Sequence, residues 1–212
     1  MSISRKINFS CRKCGHQQPL TVWDVLIVAD DPEKKEELIN GDLMRSKCIR
    51  CGYSTPVLYS LLYQDIARDF VVWLWLSPAD PNTADEMIFM RDYQFRIVRS
   101  ENELREKILI FDNGLDDRVL EICKFLLRKK PTRDRPKLEG DLFFKELRPW
   151  PEWGQAIVFE LSSVPEELML PRKTYNEMEA CMLRKLPALE EVAKKWLHID
   201  SKFAQSMVRK YG

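Results

Sequence analysis

Two copies of one short motif constrain this chain more than any other feature of its sequence. The stretch CRKCG, which begins at residue 11, returns as CIRCG at residue 48. The four cysteines concerned are Cys11, Cys14, Cys48 and Cys51. A CxxC turn can direct both sulfurs at one ion, and a glycine behind the second cysteine permits the tight turn in which backbone N–H groups donate to the thiolates. The pattern therefore predicts one metal ion held by four cysteines.

The ligand type indicates which metal to expect. Four sulfurs suit zinc best, and iron is the alternative that ligand type alone leaves open. A closed shell of four cysteines has no position for water or substrate, so we expect one structural Zn²⁺ ion. A thioredoxin-like redox motif needs a single CxxC at the start of a helix, and the second copy of the motif argues against it. The repetition also argues against four buried thiols without a ligand.

The spacing between the two pairs predicts an insertion. Residues 15–47 separate them, a longer gap than the roughly 15–20 residues of a common zinc ribbon. The run LTVWDVLIV at 20–28 is rich in β-branched residues and predicts a strand. A helix should follow, because Asp31 is a candidate N-cap, Pro32 suits the first helical position and Gly41 is a typical stop. We expect a zinc-ribbon-like β unit, at about residues 8–76, with an inserted helix.

The remaining cysteines and the nearest histidine are less suited to bind metal. Cys123 lies in EICKFLL and Cys181 in MEACMLRKL, both apolar helical patterns, so both are predicted to be small core residues. His16 follows the first motif directly. With four cysteines available, we expect it to be an exposed histidine beside the site.

The rest of the chain predicts an α+β fold. Strands are expected at 56–63 and 70–76 as a hairpin with the second strand buried on both faces, then at MIFM, YQFRIVR, DLFFKEL and QAIVFEL. Helices are expected from Ser100, which forms a capping box with Glu103, at 115–130, at about 172–196, and from Asp200 as N-cap.

The polar, proline-containing stretch PTRDRPKLEG at 131–140 is the best candidate for a domain boundary. It predicts a first domain at 1–130, composed of the ribbon followed by strands and a helix pair at 86–130. A C-terminal α+β region at 131–212 would pack on that domain.

Composition limits the partner classes. Lys and Arg (34) nearly balance Asp and Glu (33), so no global basic field attracts nucleic acid or an anionic membrane. The opening MSISRKINFSCRKC lacks the apolar core of a signal peptide, and no run of about eighteen apolar residues could span a bilayer. We expect a cytoplasmic protein without a membrane partner, where reduced thiols can bind metal.

Beyond its cysteines, the chain resembles the CpXC family of bacterial zinc-ribbon-like proteins. Three stretches carry the resemblance, FSCRKCGHQQPLTVWD, KCIRCGYSTPVLYSLLYQD and ENELREKILIFDNGLDDRVLEICK, which together cover about residues 8–130. The closing IDSKFAQSMV is similar to the short helix that often ends these proteins. Arg12 and Ile49 stand where the family usually has proline, a change that removes no ligand. The resemblance implies fold and metal without implying an activity.

Two classes of binding partner stay open. Trp150 and Trp153 fall in the predicted loop RPWPEWG, and tryptophan is a frequent interface anchor, which favours a protein partner; they could equally cover the edge of a core. Basic residues surround the cysteines, and they are Arg12, Lys13, Arg45, Lys47 and Arg50. They could contact nucleic-acid phosphates, or they could simply offset the net charge of −2 on zinc with four thiolates.

The sequence contains no constellation that indicates an enzyme. Its two histidines, His16 and His198, are far apart, and there is no HExxH, P-loop, GxGxxG after a strand or GxSxG. Asp112, Asp116 and Asp117 are the only acidic group that suggests chemistry, and charge at a helix start explains Asp116 and Asp117 better. We therefore expect a non-enzymatic protein without a small-molecule substrate.

Overall fold

The computed structural model describes residues 1–78, 93–129, 140–183 and 196–211. The chain divides into two compact units, Met1–Arg105 and Glu106–Gly212. The mixture of helices and strands confirms the predicted α+β class. The predicted boundary at 131–140 lies almost entirely outside the described residues, so the division into 1–130 and 131–212 stays a prediction.

The described part of the first unit contains seven strands. They are β1 (Ile3–Ser10), β2 (Gln17–Ile27), β3 (Arg45–Lys47), β4 (Ser54–Pro56), β5 (Leu61–Asp65), β6 (Phe70–Leu74) and β7 (Gln94–Val98). Five make one sheet in the order β1-β2-β5-β6-β7, antiparallel at β1–β2 and β5–β6 and parallel at β2–β5 and β6–β7. The strands β3 and β4 form a separate antiparallel pair.

The insertion between the cysteine pairs has the predicted content. Helix α1 (Pro32–Asn40) starts with the expected proline and ends at Gly41, whose φ of 78° lies in the left-handed region that favours glycine. Asp31 occupies the N-cap position without a side-chain capping hydrogen bond. The residues between the two pairs thus fold mainly as β2, α1 and β3.

The hairpin predicted after the second cysteine pair is present, but its first strand does not span the whole of 56–63. The run at 56–63 is two strands, because Pro56 lacks the N–H that a continuing ladder needs and ends β4, while Leu61 begins β5. β5 and β6 then pair antiparallel across a 3₁₀ turn at Ile66–Arg68. The central strand β6 is buried on both faces, as predicted, with zero exposure at Phe70, Val71, Val72 and Leu74.

The second unit combines helices with a small antiparallel sheet. Its elements are the end of α2 (Glu101–Asp112), α3 (Asp117–Lys129), β8 (Leu142–Trp150), β9 (Gly154–Leu161), β10 (Glu167–Pro171), α4 (Arg172–Leu183) and α5 (Ser201–Tyr211). The sheet order is β10-β9-β8, and α3 packs against α4 and α5. The sequence did not predict β1, β3 or β10.

Local capping signals located the helices well. The Glu103 N–H donates to the Ser100 hydroxyl at 3.2 Å, and the Glu103 carboxylate accepts the Arg99 N–H at 2.8 Å. The Asp200 carboxylate accepts two N–H groups at the start of α5, as its predicted N-cap role requires. The strand expected at MIFM and the helix expected beyond residue 183 lie outside the described residues.

Buried ion pairs connect the helices of the second unit. Lys124 Nζ lies 2.9 Å from Glu106 Oε1 and 2.7 Å from Glu121 Oε2, and Lys107 Nζ lies 3.0 Å from Asp117 Oδ2. All five side chains are at most 10% exposed. Glu106 also accepts the Phe144 N–H and Lys107 donates to the Ile199 carbonyl, so these charges attach α2 to β8 and to the residues before α5.

Candidate metal centre

Each cysteine pair lies in the turn of a β-hairpin. The first turn connects β1 and β2, whose pairing ends at Ser10 opposite Gln17. The second connects β3 and β4, whose pairing ends at Lys47 opposite Ser54. We call these two turns the knuckles. Antiparallel pairing up to the last residue before each knuckle fixes where each pair of cysteines begins.

The two knuckles repeat the same backbone hydrogen bonds. In each, the first cysteine N–H donates to the carbonyl five residues ahead, and the glycine N–H donates back to the first cysteine carbonyl. The bonds are Cys11 to His16 (2.8 Å), Gly15 to Cys11 (2.9 Å), Cys48 to Tyr53 (2.9 Å) and Gly52 to Cys48 (2.9 Å). The repetition in sequence is therefore also a repetition in structure.

The glycine of each knuckle is required for its backbone angle. Gly15 has φ of 68° and Gly52 has φ of 70°, in the left-handed region that L side chains rarely adopt. A Cβ at either position would meet nothing within 4 Å, so space does not explain the choice. The tight turn that brings the second sulfur of each pair back towards the first depends on this conformation.

The four sulfurs converge on one point. The Sγ atoms of Cys11, Cys14, Cys48 and Cys51 all lie within 4.8 Å of one another. Across the knuckles, the Cys11 and Cys51 sulfurs are 3.7 Å apart and those of Cys14 and Cys48 are 3.6 Å apart. A tetrahedral zinc ion with Zn–S bonds of about 2.3 Å needs sulfurs about 3.8 Å apart. The residues present fit a four-cysteine metal site.

Burial differs between the first and the second cysteine of each knuckle. Cys11 and Cys48, the first cysteines, are both 2% exposed. Cys14 is half-buried and Cys51 is exposed. The cluster thus lies at the surface end of the hairpins with one sulfur of each pair directed inwards.

The two thiols of the first knuckle, Cys11 and Cys14, have pKa values that are shifted in opposite directions. Hydrogen bonds from the backbone N–H groups of Cys14 and Lys13, together with the neighbouring thiols, lower the pKa of Cys11 to about 6 despite its burial. The His16 N–H acts to lower the pKa of Cys14, but burial and the other three cysteines outweigh it and raise that pKa to about 11. Adjacent thiolates repel each other, so a cation must compensate the charge before all four can ionise.

Gln18 connects the two hairpins and was not predicted from the sequence. Its buried side chain accepts the Ile49 N–H at 2.9 Å and donates to the Lys47 carbonyl at 3.0 Å. These bonds attach the start of β2 to the second knuckle. Nothing in GHQQP distinguishes Gln18 from Gln17, because the contact is made with residues about thirty positions away.

Of the two other cysteines, which were both predicted to be core residues, only Cys123 is buried. Cys123 is buried, as predicted, and burial raises the pKa of its thiol to about 12. Cys181 is exposed on α4, so its predicted core position is wrong. The inward face of that helix carries Tyr175 and Met182, both buried, and Cys181 lies about 100° around the helix from Met182.

The prediction for His16 was also wrong. Its side chain is half-buried rather than exposed, and Nε2 is buried with no hydrogen-bond partner among the described residues. The group of side chains that could hold a metal ion consists of the four cysteines and does not include His16.

The basic candidates surround the cluster on the surface. Arg12, Lys13, Lys47 and Arg50 are all exposed, as is Arg45. Lys13 Nζ lies 5.8 Å from the centre of the Tyr53 ring, which brings the first knuckle against the second. These side chains therefore accompany the metal site at one end of the hairpins.

The tryptophan candidates lie at the β8–β9 hairpin of the second unit. Their rings stack with centroids 5.7 Å apart, and Trp153 is 40% exposed. The predicted loop is shorter than expected, because Trp150 is the last residue of β8 and pairs with Gly154. Only residues 151–153 form the turn.

The three aspartates do not assemble a site. Asp112 ends α2, Asp116 accepts the Arg118 N–H at 2.8 Å as α3 begins, and Asp117 is buried against Lys107. Within the described ranges, the four cysteines are the only group of three or more His, Cys, Asp or Glu placed to share an ion. None of the helices searched is both long and apolar enough to cross a membrane.

Comparison with known proteins agrees with this geometry. No curated protein and no solved structure gave a significant match. A family model described as CpXC protein matches residues 9–124, which is more than half of the chain and includes both knuckles. Because the match covers more than half of the chain, the chain belongs to the CpXC family.

Proposed function

We propose that this chain is a non-enzymatic zinc-binding protein that serves as an interaction module for a protein partner. The observation that supports this most is the convergence of four sulfurs within 4.8 Å at the tips of two hairpins. Four cysteines fill the coordination shell of zinc and leave no position for water or substrate. Such an ion would stabilise the tips of the two hairpins. The role of the chain then depends on what binds to its surface.

Zinc is the proposed metal because it prefers four thiolates in tetrahedral geometry. Elemental analysis of protein purified without added metal should find about one zinc per chain. Iron in place of zinc, or no metal at all, would contradict this part of the proposal.

The β8–β9 hairpin is the proposed contact for the protein partner. The stacked Trp150 and Trp153 rings form an apolar centre with Trp153 40% exposed. A network of ion pairs lies next to it, in which Arg148 contacts Glu146 and Glu167. Aromatic anchors with a polar rim are typical of protein interfaces.

Cross-linked capture from the source cells tests this contact, with nuclease present to remove bridging nucleic acid. The wild-type chain should retain a stoichiometric partner that Trp153→Ala loses. The matched control is Val164→Ala, which shortens another exposed apolar side chain of the same unit, 43% exposed. Equal recovery with both variants would contradict the proposed contact, and unchanged thermal melting would show that the fold of both variants had survived.

A further inference from the structure

The charges of this chain are unevenly distributed. Residues 1–23 and 43–64, which contain β1, most of β2 and the β3–β4 hairpin with both knuckles, hold seven of the 34 Lys and Arg and none of the 33 Asp and Glu. We call these two ranges the acid-free segments. They make up about a fifth of a chain whose overall charge is only +1, so the remainder is acidic. The net charge of the chain therefore does not reveal the positive charge concentrated in these two segments.

The seven basic side chains of the acid-free segments are all exposed. Arg5 is neutralised by Asp24 at 3.0 Å, and Arg45 donates to the Gly41 carbonyl. The other five form no ion pair with any residue in the described part of the chain, and they are Lys6, Arg12, Lys13, Lys47 and Arg50. Their charge is therefore available to a ligand.

The metal site does not account for these cations. Zinc with four thiolates has a formal charge of about −2. These five cations exceed that charge, and Lys6 lies on β1 five residues before the first knuckle begins at Cys11. A net positive surface thus remains after the site is fully charged.

A cation of the first knuckle lies over an aromatic ring of the second knuckle. The convergence of the four sulfurs places the knuckles side by side. Lys13 of the first knuckle lies over the ring of Tyr53, which is the last residue of the second knuckle and is 45% exposed. We define the knuckle face by its members, Arg12, Lys13, Lys47, Arg50 and Tyr53.

We propose that the knuckle face binds the sugar-phosphate backbone of single-stranded nucleic acid, with Tyr53 as a stacking surface for a base. This inference rests on the proposed zinc site, because zinc would hold the two knuckles together. Cations without interspersed acids match the uniform negative charge of a nucleic-acid backbone, whereas protein interfaces are depleted in lysine. An exposed aromatic ring between cations is the usual arrangement for sequence-tolerant single-strand binding.

Fluorescence anisotropy with the zinc-loaded full-length chain and a labelled 20-nucleotide oligo(dT) tests the proposal. Binding should weaken as salt rises, by about 0.7 in the logarithmic slope for each phosphate contact. The triple variant Arg12→Gln, Lys13→Gln, Arg50→Gln should lower that slope by about 2 and the affinity by about tenfold or more. Tyr53→Leu should weaken binding about tenfold without changing the slope.

Two controls separate local contacts from total charge and from an apolar interface. The variant Lys173→Gln, Lys202→Gln, Arg209→Gln removes the same charge from exposed positions of the second unit and should bind like wild type. Ile49→Ala shortens an apolar side chain that is 79% exposed in the second knuckle and should also bind like wild type.

Three results would overturn the proposal. They are no binding at about 50 mM salt, equal losses in both triple variants, and displacement of the oligonucleotide by poly-L-glutamate at equal charge concentration, which would favour an acidic protein segment instead. Zinc content is measured on every sample. Absent zinc contradicts the proposed function, whereas zinc-loaded protein that does not bind oligonucleotide contradicts this inference alone.

Discussion

The two units place ionisable groups close together in opposite ways. In the first unit, the sulfurs of four cysteines lie within 4.8 Å of one another, and the nearby basic side chains are exposed. In the second unit, the acidic side chains of Glu106, Glu121 and Asp117 are buried against Lys124 and Lys107 of the same unit. The cysteine cluster needs a metal ion from solution to ionise fully. The buried carboxylates are neutralised mostly by lysines of their own unit.

This difference determines what each unit depends on. A ligand that binds only the folded state adds its binding free energy to stability, so the first unit should be sensitive to metal and to competing protons. A buried ion pair instead makes a unit sensitive to the loss of either partner, because the survivor is left charged and unpaired. The experiments below address this contrast.

Removing one zinc ligand should have the largest effect. Cys48→Ser should abolish stoichiometric zinc and unfold the hairpins around it, because structural zinc in small peptides contributes about 10–16 kcal/mol of binding free energy. Metal analysis and thermal melting measure both. Cys181→Ser is the matched control, since that exposed thiol on α4 lies outside the cluster. If the Cys48→Ser protein kept its full zinc content and melted at the same temperature as wild type, the proposed four-cysteine metal site would be wrong.

Breaking a buried pair should affect the second unit without affecting the metal. Lys107→Met removes the cation that lies 3.0 Å from the fully buried Asp117 carboxylate and should destabilise the protein by about 3–5 kcal/mol. Urea unfolding of the zinc-loaded chain measures this. The control Lys173→Met removes an exposed pair with Glu177 at 3.9 Å and should cost less than about 0.5 kcal/mol. Equal effects of the two variants would show that burial does not set the cost.

The sequence predicted those features whose signals are local. The α+β class, α1, the start of α2 and α5 followed from caps and stops such as Pro32, Gly41 and Asp200. The convergence of the cysteines followed from a repeated five-residue motif, because each knuckle forms from its own residues. Short-range rules were sufficient wherever the contacting groups are close in sequence.

Features that depend on distant contacts could not be predicted this way. β1 is mostly exposed, and its apolar alternation is limited to Ile7 and Phe9, so its length is explained mainly by its pairing with β2. Gln18 and Lys107 bond to residues far away in the sequence, and neither residue type indicates this. The exposure of Cys181 depends on which face of α4 turns inwards, which an apolar run around one residue does not specify.

Acid should release the metal of the first unit. Zinc must displace the proton of Cys14, whose pKa is raised to about 11, so affinity should fall about tenfold per pH unit from this thiol alone. Below about pH 6 Cys11 also binds a proton in the metal-free state, and the dependence should steepen by about another tenfold per unit. Chelator competition between pH 8 and pH 5 measures this, and a flat affinity would contradict ionised thiols as the ligands.

A glycine substitution should give the smallest and most selective effect. Gly15 in the first knuckle and Gly154 after the β8–β9 turn have nearly the same φ, 68° and 71°, and a Cβ at either would meet nothing within 4 Å. Alanine should therefore cost about 1 kcal/mol at both positions. Only Gly15→Ala should also lower zinc affinity, by about fivefold, because its strain lies in the turn that positions Cys14. Equal zinc affinity in the two variants would mean that the knuckle geometry does not limit metal binding.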